Sequence, residues 1–481
     1  MPCMEDVTMA TTVEATDSSI WARKVPHSVA IATAEQVCLL ETVEIRVPHP
    51  LHPGKGLTDL NTLAAQFLAS KPNQWLTQVE PTPFQTWVKR FSPSRQTQLE
   101  AGREWVARHG LLEKDSIMAV FVKVETSVTG TDPRNISPRD PRFLSTLGPF
   151  TSRLEQLAVS CPYLVKGLDT YKRGPLLASY WRACVIETDF SRFDMTVSQD
   201  IINTVERSLF RRCFPEGLYP DLDACLSYLD TMTGVSDLGI MYTVSGTRAS
   251  GDAHTSIANG YINRFVIWSC LRHLDPSKWD SFHEGDDGVI FLDQDIFETA
   301  RECLKFASCL GFKLKVICPE SQDSAVFCGR FTCTTCHREY CDLPRALSKF
   351  HTTTKNGDCK SLVLAKALSY FATDAHTPIM GVLCDALIKL LSPLVSQRLM
   401  RRRLHTMNWW DRARVLQGIN MTLADVSPCC RASVSQTSGF DPPLQVAAEQ
   451  QLAKWAVGVD EWNPIAVSDF LVDIPGQLCV Y

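Results

Sequence analysis

Phe282-His283-Glu284-Gly285-Asp286-Asp287-Gly288-Val289-Ile290-Phe291-Leu292 is the stretch on which the fold turns. Two acidic side chains stand together inside an otherwise strand-like run. Apolar residues lead in from Trp279 and lead out through Val289, Ile290, Phe291 and Leu292. Glycines at 285 and 288 bracket the pair, as a tight turn between two strands requires. Adjacent carboxylates held at a turn repel, by about 4 kcal/mol at roughly 4 Å and an effective dielectric near 20. A fold accepts that repulsion when a divalent cation sits between the groups. Mg²⁺ bound through one or two carboxylates plus substrate phosphates is the usual arrangement. A solvated hairpin tip would carry the same tripeptide, so the rest of the chain decides between the two readings.

The 481 residues, 45% hydrophobic and 21% charged, suffice to bury a large core, as one multi-lobed enzyme or as a few subdomains. A net charge of −5 argues against a protein that coats nucleic acid, yet it accommodates a basic channel inside a mildly acidic shell. The 19 cysteines follow no regular framework. With no secretory leader at Met1-Pro2-Cys3-Met4, they read as free thiols in a reducing cytosol. No run of about 18 or more apolar residues is present, so no membrane span is expected.

Residues 1 to 60 are weakly periodic, with a short strand expected over Val43–Val47 and no function assignable. Between Pro81 and Lys114 the pattern is helical and basic, with Leu99, Trp105 and Val106 as its buried side; most of its charges read as a solvated face. A strand follows over Ile117–Glu125. Asp132-Pro133-Arg134-Asn135-Ile136-Ser137-Pro138-Arg139-Asp140-Pro141-Arg142-Phe143 carries three prolines in nine residues, which predicts a rigid extended loop. Such a loop presents Arg134, Arg139 and Arg142 at fixed positions, where guanidinium groups suit a triphosphate or a surface ion pair.

Trp181–Phe190 reads as a buried strand ending at Asp189. Asp194 is the natural cap of the helix that follows through Ile202, Val205 and Leu209, which leaves Asp189 without an ordinary structural role. Ser245–Asp252 is a small-residue loop opening a helix that runs to about Leu271. Ile257, Tyr261, Phe265 and Trp268 make its apolar face. Asp252, Thr255, Asn259 and Asn263 line the other with short hydrogen-bonding groups, suited to a sugar hydroxyl, a template backbone or a neighbouring loop.

A further helix over Phe297–Ala307 leads into a strand, Gly311–Val316, with Lys313 and Lys315 on one side. A lysine near a triphosphate can donate the proton that a pyrophosphate leaving group needs; an exposed sheet face accounts for at least one of the two. Ala325–Phe331 and Arg338–Cys341 predict a hairpin whose tip holds Cys333, Cys336 and His337, with Cys341 close behind. That spacing can bind zinc, but no second well-spaced pair accompanies it, and reduced structural thiols are the expected reading. From 345 to 481 the pattern is helical. Leu383, Leu387, Leu390 and Leu391 form a stripe, followed by Arg398, Arg401, Arg402, Arg403, Trp409, Trp410, Arg412 and Arg414, a basic helix pair suited to an RNA backbone or to solvent.

In their order these pieces resemble the RNA-dependent RNA polymerases of positive-strand RNA viruses, the tombusvirus-like (carmovirus-like) group in particular. Lys123-x-Glu125 with Pro133-Arg134-x-Ile136-x-Pro138-Arg139-x-Pro141 is similar to that family's fingers motif F. Asp189-x-Ser191-Arg192-Phe193-Asp194 resembles palm motif A, and Ser250-Gly251-Asp252-x-x-Thr255-x-x-x-Asn259 resembles motif B. Gly285-Asp286-Asp287 resembles motif C, Gly311-Phe312-x-Leu314-Lys315 motif D, and Phe327-Cys328 motif E. Two departures stand out: Thr131 and Asp132 replace a basic residue of motif F, and the motif E hairpin carries the cysteine cluster. The membrane-anchoring replicase region common in the group is not visible in the first 80 residues.

The resemblance implies an α+β, right-hand polymerase fold, with fingers, a palm built on an antiparallel sheet, and a helical thumb. The expected division is an N-terminal extension packing on fingers and thumb (1–80), fingers (81–180), palm (181–200), a fingers insertion (201–244), palm (245–345), then thumb and tail (346–481). It implies RNA-directed RNA synthesis with Mg²⁺, Mn²⁺ being a possible substitute. Asp189 and Asp286 would hold the metals with Asp287 supporting. Asp194 and Asn259, helped by Ser250 and Thr255, would read the ribose 2′-hydroxyl. Arg134, Arg139 and Lys123 would contact the triphosphate, and Lys315 or Lys313 would be the proton donor. Expected partners are RNA template and nascent RNA, nucleoside triphosphates, and viral or host replication proteins that would tie the enzyme to membranes in the host cytoplasm. A reverse transcriptase and a catalytically dead RNA-binding replication factor are the alternatives; the acids at 189, 286 and 287 oppose the second, and Asp194 with Asn259 opposes the first.

Overall fold

A computed structural model of the chain describes residues 60–123, 134–236, 238–350, 353, 357–406, 409–417 and 422–458. The strand expected over Val43–Val47 and the motif F positions Glu125, Thr131, Asp132 and Pro133 lie outside the described residues. The strands are β1 (Met118–Val122), β2 (Asn135–Ile136), β3 (Cys184–Phe190), β4 (Thr231–Ser236), β5 (Met241–Ser245), β6 (Trp279–Glu284), β7 (Asp287–Leu292), β8 (Leu314–Ile317), β9 (Arg330–Thr332) and β10 (Glu339–Cys341).

The central sheet runs β6-β7-β3-β8 with every neighbouring pair antiparallel. Its β7 strand reads as a continuous apolar run because both of its faces are covered. Ile290 and Leu292 join the largest core, packing with Tyr261, Phe265 and Ile186. Val289 and Phe291 look the other way, toward Phe282, Val185, Leu177 and Phe327. The Thr255–Leu271 helix therefore lies under one face of the sheet, and burial continues round its circumference, from Ile257 and Tyr261 to Asn259 and Asn263.

A second sheet, β2-β1-β4-β5, is mixed: β1 runs parallel to β4 and antiparallel to β2. The β9–β10 hairpin stands apart, with Tyr340 opposite Phe331 and Cys341 opposite Arg330. After it the chain is helical among the described residues, as Leu343–Phe350, Cys359–Asp374, Met380–Leu391, Gln397–Thr406, Trp409–Gln417, Pro428–Ser438 and Pro442–Gly458. Leu383, Leu387 and Leu391 of the expected stripe are buried there with Phe350, Phe371 and Val434. This is the α+β layout that the resemblance implies.

Three local expectations need correction. The proline-rich segment is not a loop throughout: Asn135–Ile136 is a strand paired with β1, and the extended backbone ends where a helix starts at Pro141. Asp140 caps that helix by accepting from the Arg142 N–H, and a proline in the first turn costs nothing because its missing N–H would have had no helical partner. Asp194 is not an N-cap. Arg192, in the left-handed region at φ +56°, precedes the short Phe193–Thr196 helix, and Asp194 falls in its first turn. The motif B helix begins at Thr255 rather than Asp252, whose carboxylate is engaged elsewhere.

Candidate active site

The hairpin between β6 and β7 closes with Glu284 opposite Asp287, so its two turn residues are Gly285 and Asp286. Gly285 takes φ +62° at the first turn position, where a side chain would be strained. Gly288 is needed for a different reason: a Cβ there would stand 2.3 Å from Thr188 Oγ1 on β3. That close approach sets the register, Thr188 opposite Gly288. One residue beyond that pair, Asp189 at the end of β3 and Asp287 at the start of β7 lie near enough for their charges to act on each other.

Asn263 locks the turn from below. Its side-chain amide lies 3.3, 2.9 and 3.2 Å from the carbonyl oxygens of Gly285, Asp286 and Asp287 and donates to them. This residue of the polar helix face thus bonds a neighbouring loop. Asp189, Asp286 and Asp287 are all exposed at the open end of the sheet. Desolvation and the negative charges of Asp286, Glu284 and Asp189 push the Asp287 carboxyl up to about 6. Among the described residues, the only group of three or more His, Cys, Asp or Glu side chains whose ligand atoms all lie within 4.8 Å of one another is Cys333, Cys336 and Cys429. The three carboxylates are thus neighbours at the sheet end, with ligand atoms that do not all lie within 4.8 Å of one another. Their hard oxygens and gathered negative charge fit divalent Mg²⁺.

Asp194 and Asn259 meet as expected, with the Asn259 amide donating to Asp194 Oδ1 at 2.8 Å. Sequence reasoning missed what orients that amide. Arg248 Nε donates to Asn259 Oδ1 at 3.0 Å, and because a guanidinium only donates, the NH₂ must face Asp194. Arg248 is in turn held by Glu206, with His254 alongside, all three buried. Burial alone would raise the Glu206 carboxyl, but Arg248 and His254 bring it down to about 2.

Thr255 Oγ1 donates to the Ala249 carbonyl at 2.8 Å, and the Ser250 carbonyl accepts from Ser137 N–H at 2.7 Å, joining the motif B loop to the segment after β2. Arg139, expected at a triphosphate, is corrected. Its side chain is 2% exposed, paired with the equally buried Asp252 at 2.9 Å, bonded to the Ser116 carbonyl, and stacked 4.5 Å from the Phe143 ring centroid. Arg134 is exposed, and its carbonyl accepts from Lys123 N–H at 2.8 Å, which sets these two motif F residues side by side. Lys315 faces Asp189 across the β3–β8 pair; Lys313, just before β8, accepts from Ser191 N–H through its carbonyl, and both lysines are exposed.

A second cation unseen in the sequence lies behind the turn. Arg173 binds Glu339 on β10 through two bonds, at 2.7 and 3.0 Å, and reaches Glu284 at 3.3 Å. The set Cys333, Cys336, His337 and Cys341, which the spacing allows but which is not the expected reading, does not assemble. The His337 ring packs edge-on against Trp181 at 5.6 Å, and Cys341 is buried, its N–H donating to Asp374.

The family profile described as "Viral RNA dependent RNA polymerase" matches residues 41–460. The RNA-directed RNA polymerase of Pariacoto virus is 27% identical over 289 residues, 58% of this chain and 29% of its own length. That of Turnip crinkle virus is 28% identical over 251 residues, 48% of this chain and 32% of its own. That of Oat chlorotic stunt virus (isolate United Kingdom) is 30% identical over 240 residues, 44% of this chain and 31% of its own. The chain thus spans about a third of the length of the curated relatives it matches. With the profile covering most of its sequence and antiparallel sheets set among helices in the fingers-palm-thumb manner, the chain belongs to the viral RNA-dependent RNA polymerase family.

Proposed function

We propose that this chain is an RNA-directed RNA polymerase that copies the genome of a positive-strand RNA virus by two-metal nucleotidyl transfer. The observation that carries the proposal is that Asp189, Asp286 and Asp287 are electrostatic neighbours at one end of the β7–β3 pair, with the Asp194–Asn259 hydrogen bond on the flanking elements. Asp189 and Asp286 are the metal ligands and Asp287 supports them. Bound there, Mg²⁺ would neutralise the triphosphate and acidify the attacking 3′-hydroxyl.

The chain's own groups do the positioning on which phosphoryl transfer mostly depends. Asp194 and Asn259 receive the ribose 2′-hydroxyl, with Ser250 and Thr255 shaping the loop beside them. Arg134 and Lys123 take the triphosphate; Arg139 instead anchors the loop through Asp252. As the 3′-oxygen bonds to the α-phosphorus and the bond to pyrophosphate breaks, Lys315 or Lys313 protonates the leaving group. In this reading the helices around Arg398, Arg401 and Arg402 track RNA, residues 81–180 act as fingers and 346–481 as thumb, and replication proteins recruit the enzyme to membranes in the host cytoplasm.

The test is Mg²⁺-dependent extension of a labelled RNA primer on an RNA template. Wild-type chain should add ribonucleotides and reject deoxynucleotides, Asp286→Ala should lose about 100-fold or more in rate, and Asp194→Ala should relax the sugar preference. Extension at the wild-type rate by Asp286→Ala would refute the reading, and equal use of deoxynucleotides would favour a reverse transcriptase.

A further inference from the structure

We propose that Cys333, Cys336, Cys429 and Cys430 form a structural zinc site that clamps the β9–β10 hairpin to the first turn of the Pro428–Ser438 helix. The ligand atoms of Cys333, Cys336 and Cys429 all lie within 4.8 Å of one another, and Cys336 Sγ stands 3.2 Å from Cys430 Sγ. Four sulfurs bound tetrahedrally at about 2.3 Å from zinc are roughly 3.8 Å apart; three of them already lie together, and the Cys430 sulfur, outside that set, would move off Cys336 to become the fourth ligand. The two pairs come from segments more than ninety residues apart, which is why spacing alone points to the wrong partners, His337 and Cys341.

Two features separate this cluster from thiols that merely pack. At the hairpin tip, Cys333-Thr334-Thr335-Cys336-His337 folds into a tight loop: Cys333 N–H donates to the Arg338 carbonyl, His337 N–H donates to the Cys333 carbonyl, and His337 turns back at φ +62°. That tight turn brings the sulfurs of the Cys333-x-x-Cys336 unit together, the spacing of a zinc-ligand pair. On the other side, Cys429 and Cys430 occupy the first turn of an eleven-residue helix capped by Ser427, where the helix dipole also favours thiolate. Zinc here would fix the hairpin that carries Glu339, and through Arg173 the back of the Gly285–Asp286 turn. The site is therefore a positioning device, and it stands independently of the activity proposed above.

The test is metal analysis of the full chain, purified under reducing conditions without chelator or added zinc. About one zinc per chain is expected. Exchange for Co²⁺ should give the thiolate-to-cobalt charge-transfer absorption and visible bands of a tetrahedral sulfur site. Cys336→Ser and Cys429→Ser should lose the metal, while Cys309→Ser, an exposed cysteine elsewhere, should keep it. Should the serine variants fail to fold, the wild-type zinc content and cobalt spectrum still decide the matter. A wild-type chain that holds no zinc and gives no charge-transfer band on anaerobic titration with Co²⁺ overturns the proposal. So does a Cys336–Cys430 disulfide found in peptides of the unreduced protein.

Discussion

Asp287 illustrates how a single group reports on its neighbours. Its carboxyl titrates at about 6 in the folded chain, against an ordinary 3.8, because desolvation and the negative charges of Asp286, Glu284 and Asp189 favour the neutral form. The sign follows directly. Between those two values the folded chain holds a proton that the unfolded chain has released, so the repulsion is absent at low pH, grows as pH rises, and is complete above about 6. A divalent cation relieves it. Mg²⁺ should therefore raise the melting temperature more at about pH 7.5 than at about pH 5, and Asp287→Asn should flatten that difference; differential scanning fluorimetry with and without Mg²⁺ measures both. Equal shifts at the two pH values would argue against metal binding by these carboxylates. Asp286 and Asp287 were legible in the sequence because adjacent carboxylates at a turn repel, and Asp189 because an acid at a strand end, with no cap to make, has few structural uses. Arg139 was not, because its burial depends on Asp252, 113 residues away, and Arg248 was missed because its partner Glu206 is 42 residues off.

At the scale of the element, the β6–β7 hairpin was readable from its two glycines, and the structure divides their work: one supplies a positive φ, the other leaves room for Thr188. What holds the hairpin from behind was not readable. Arg173 lies 166 residues from Glu339, and nothing in the local pattern marks either as buried. Glu339 has a side chain 2% exposed, so Arg173→Met should leave a buried charge without its main partner and cost about 3–5 kcal/mol. Arg173→Lys should recover only part of that, since one ammonium cannot reproduce the two-pronged contact. Urea denaturation gives the values; a loss below about 1 kcal/mol for Arg173→Met would mean that the pair does not carry this load. Helix boundaries shifted where prolines were read only as breakers, since Pro141 begins a helix as readily as it ends a strand.

Across the whole molecule, the order of motifs predicted the central sheet and its helical surroundings, while the extension before residue 81 carried no message. Its Leu60–Ala69 helix drives Phe67 into the motif B helix, with ring centroids 5.2 Å from Tyr261, 5.5 Å from Phe265 and 5.4 Å from Trp268. That helix carries Asn259 and Asn263 on its other side, so the extension helps to seat the site. Phe67→Ala should cost about 3–5 kcal/mol and lower primer extension with it; a stable, fully active variant would assign the helix a peripheral role. Aromatic packing over nearly two hundred residues of separation leaves no periodic trace, which is why composition and spacing were silent about it. The central claim is that Asp189, Asp286 and Asp287 together form a cradle for divalent cations. The direct measurement is anomalous diffraction from crystals soaked with Mn²⁺ and a nucleoside triphosphate. The account predicts manganese peaks bridging the Asp189 and Asp286 carboxylates and the phosphates; peaks bound elsewhere, with these carboxylates bare, would contradict it.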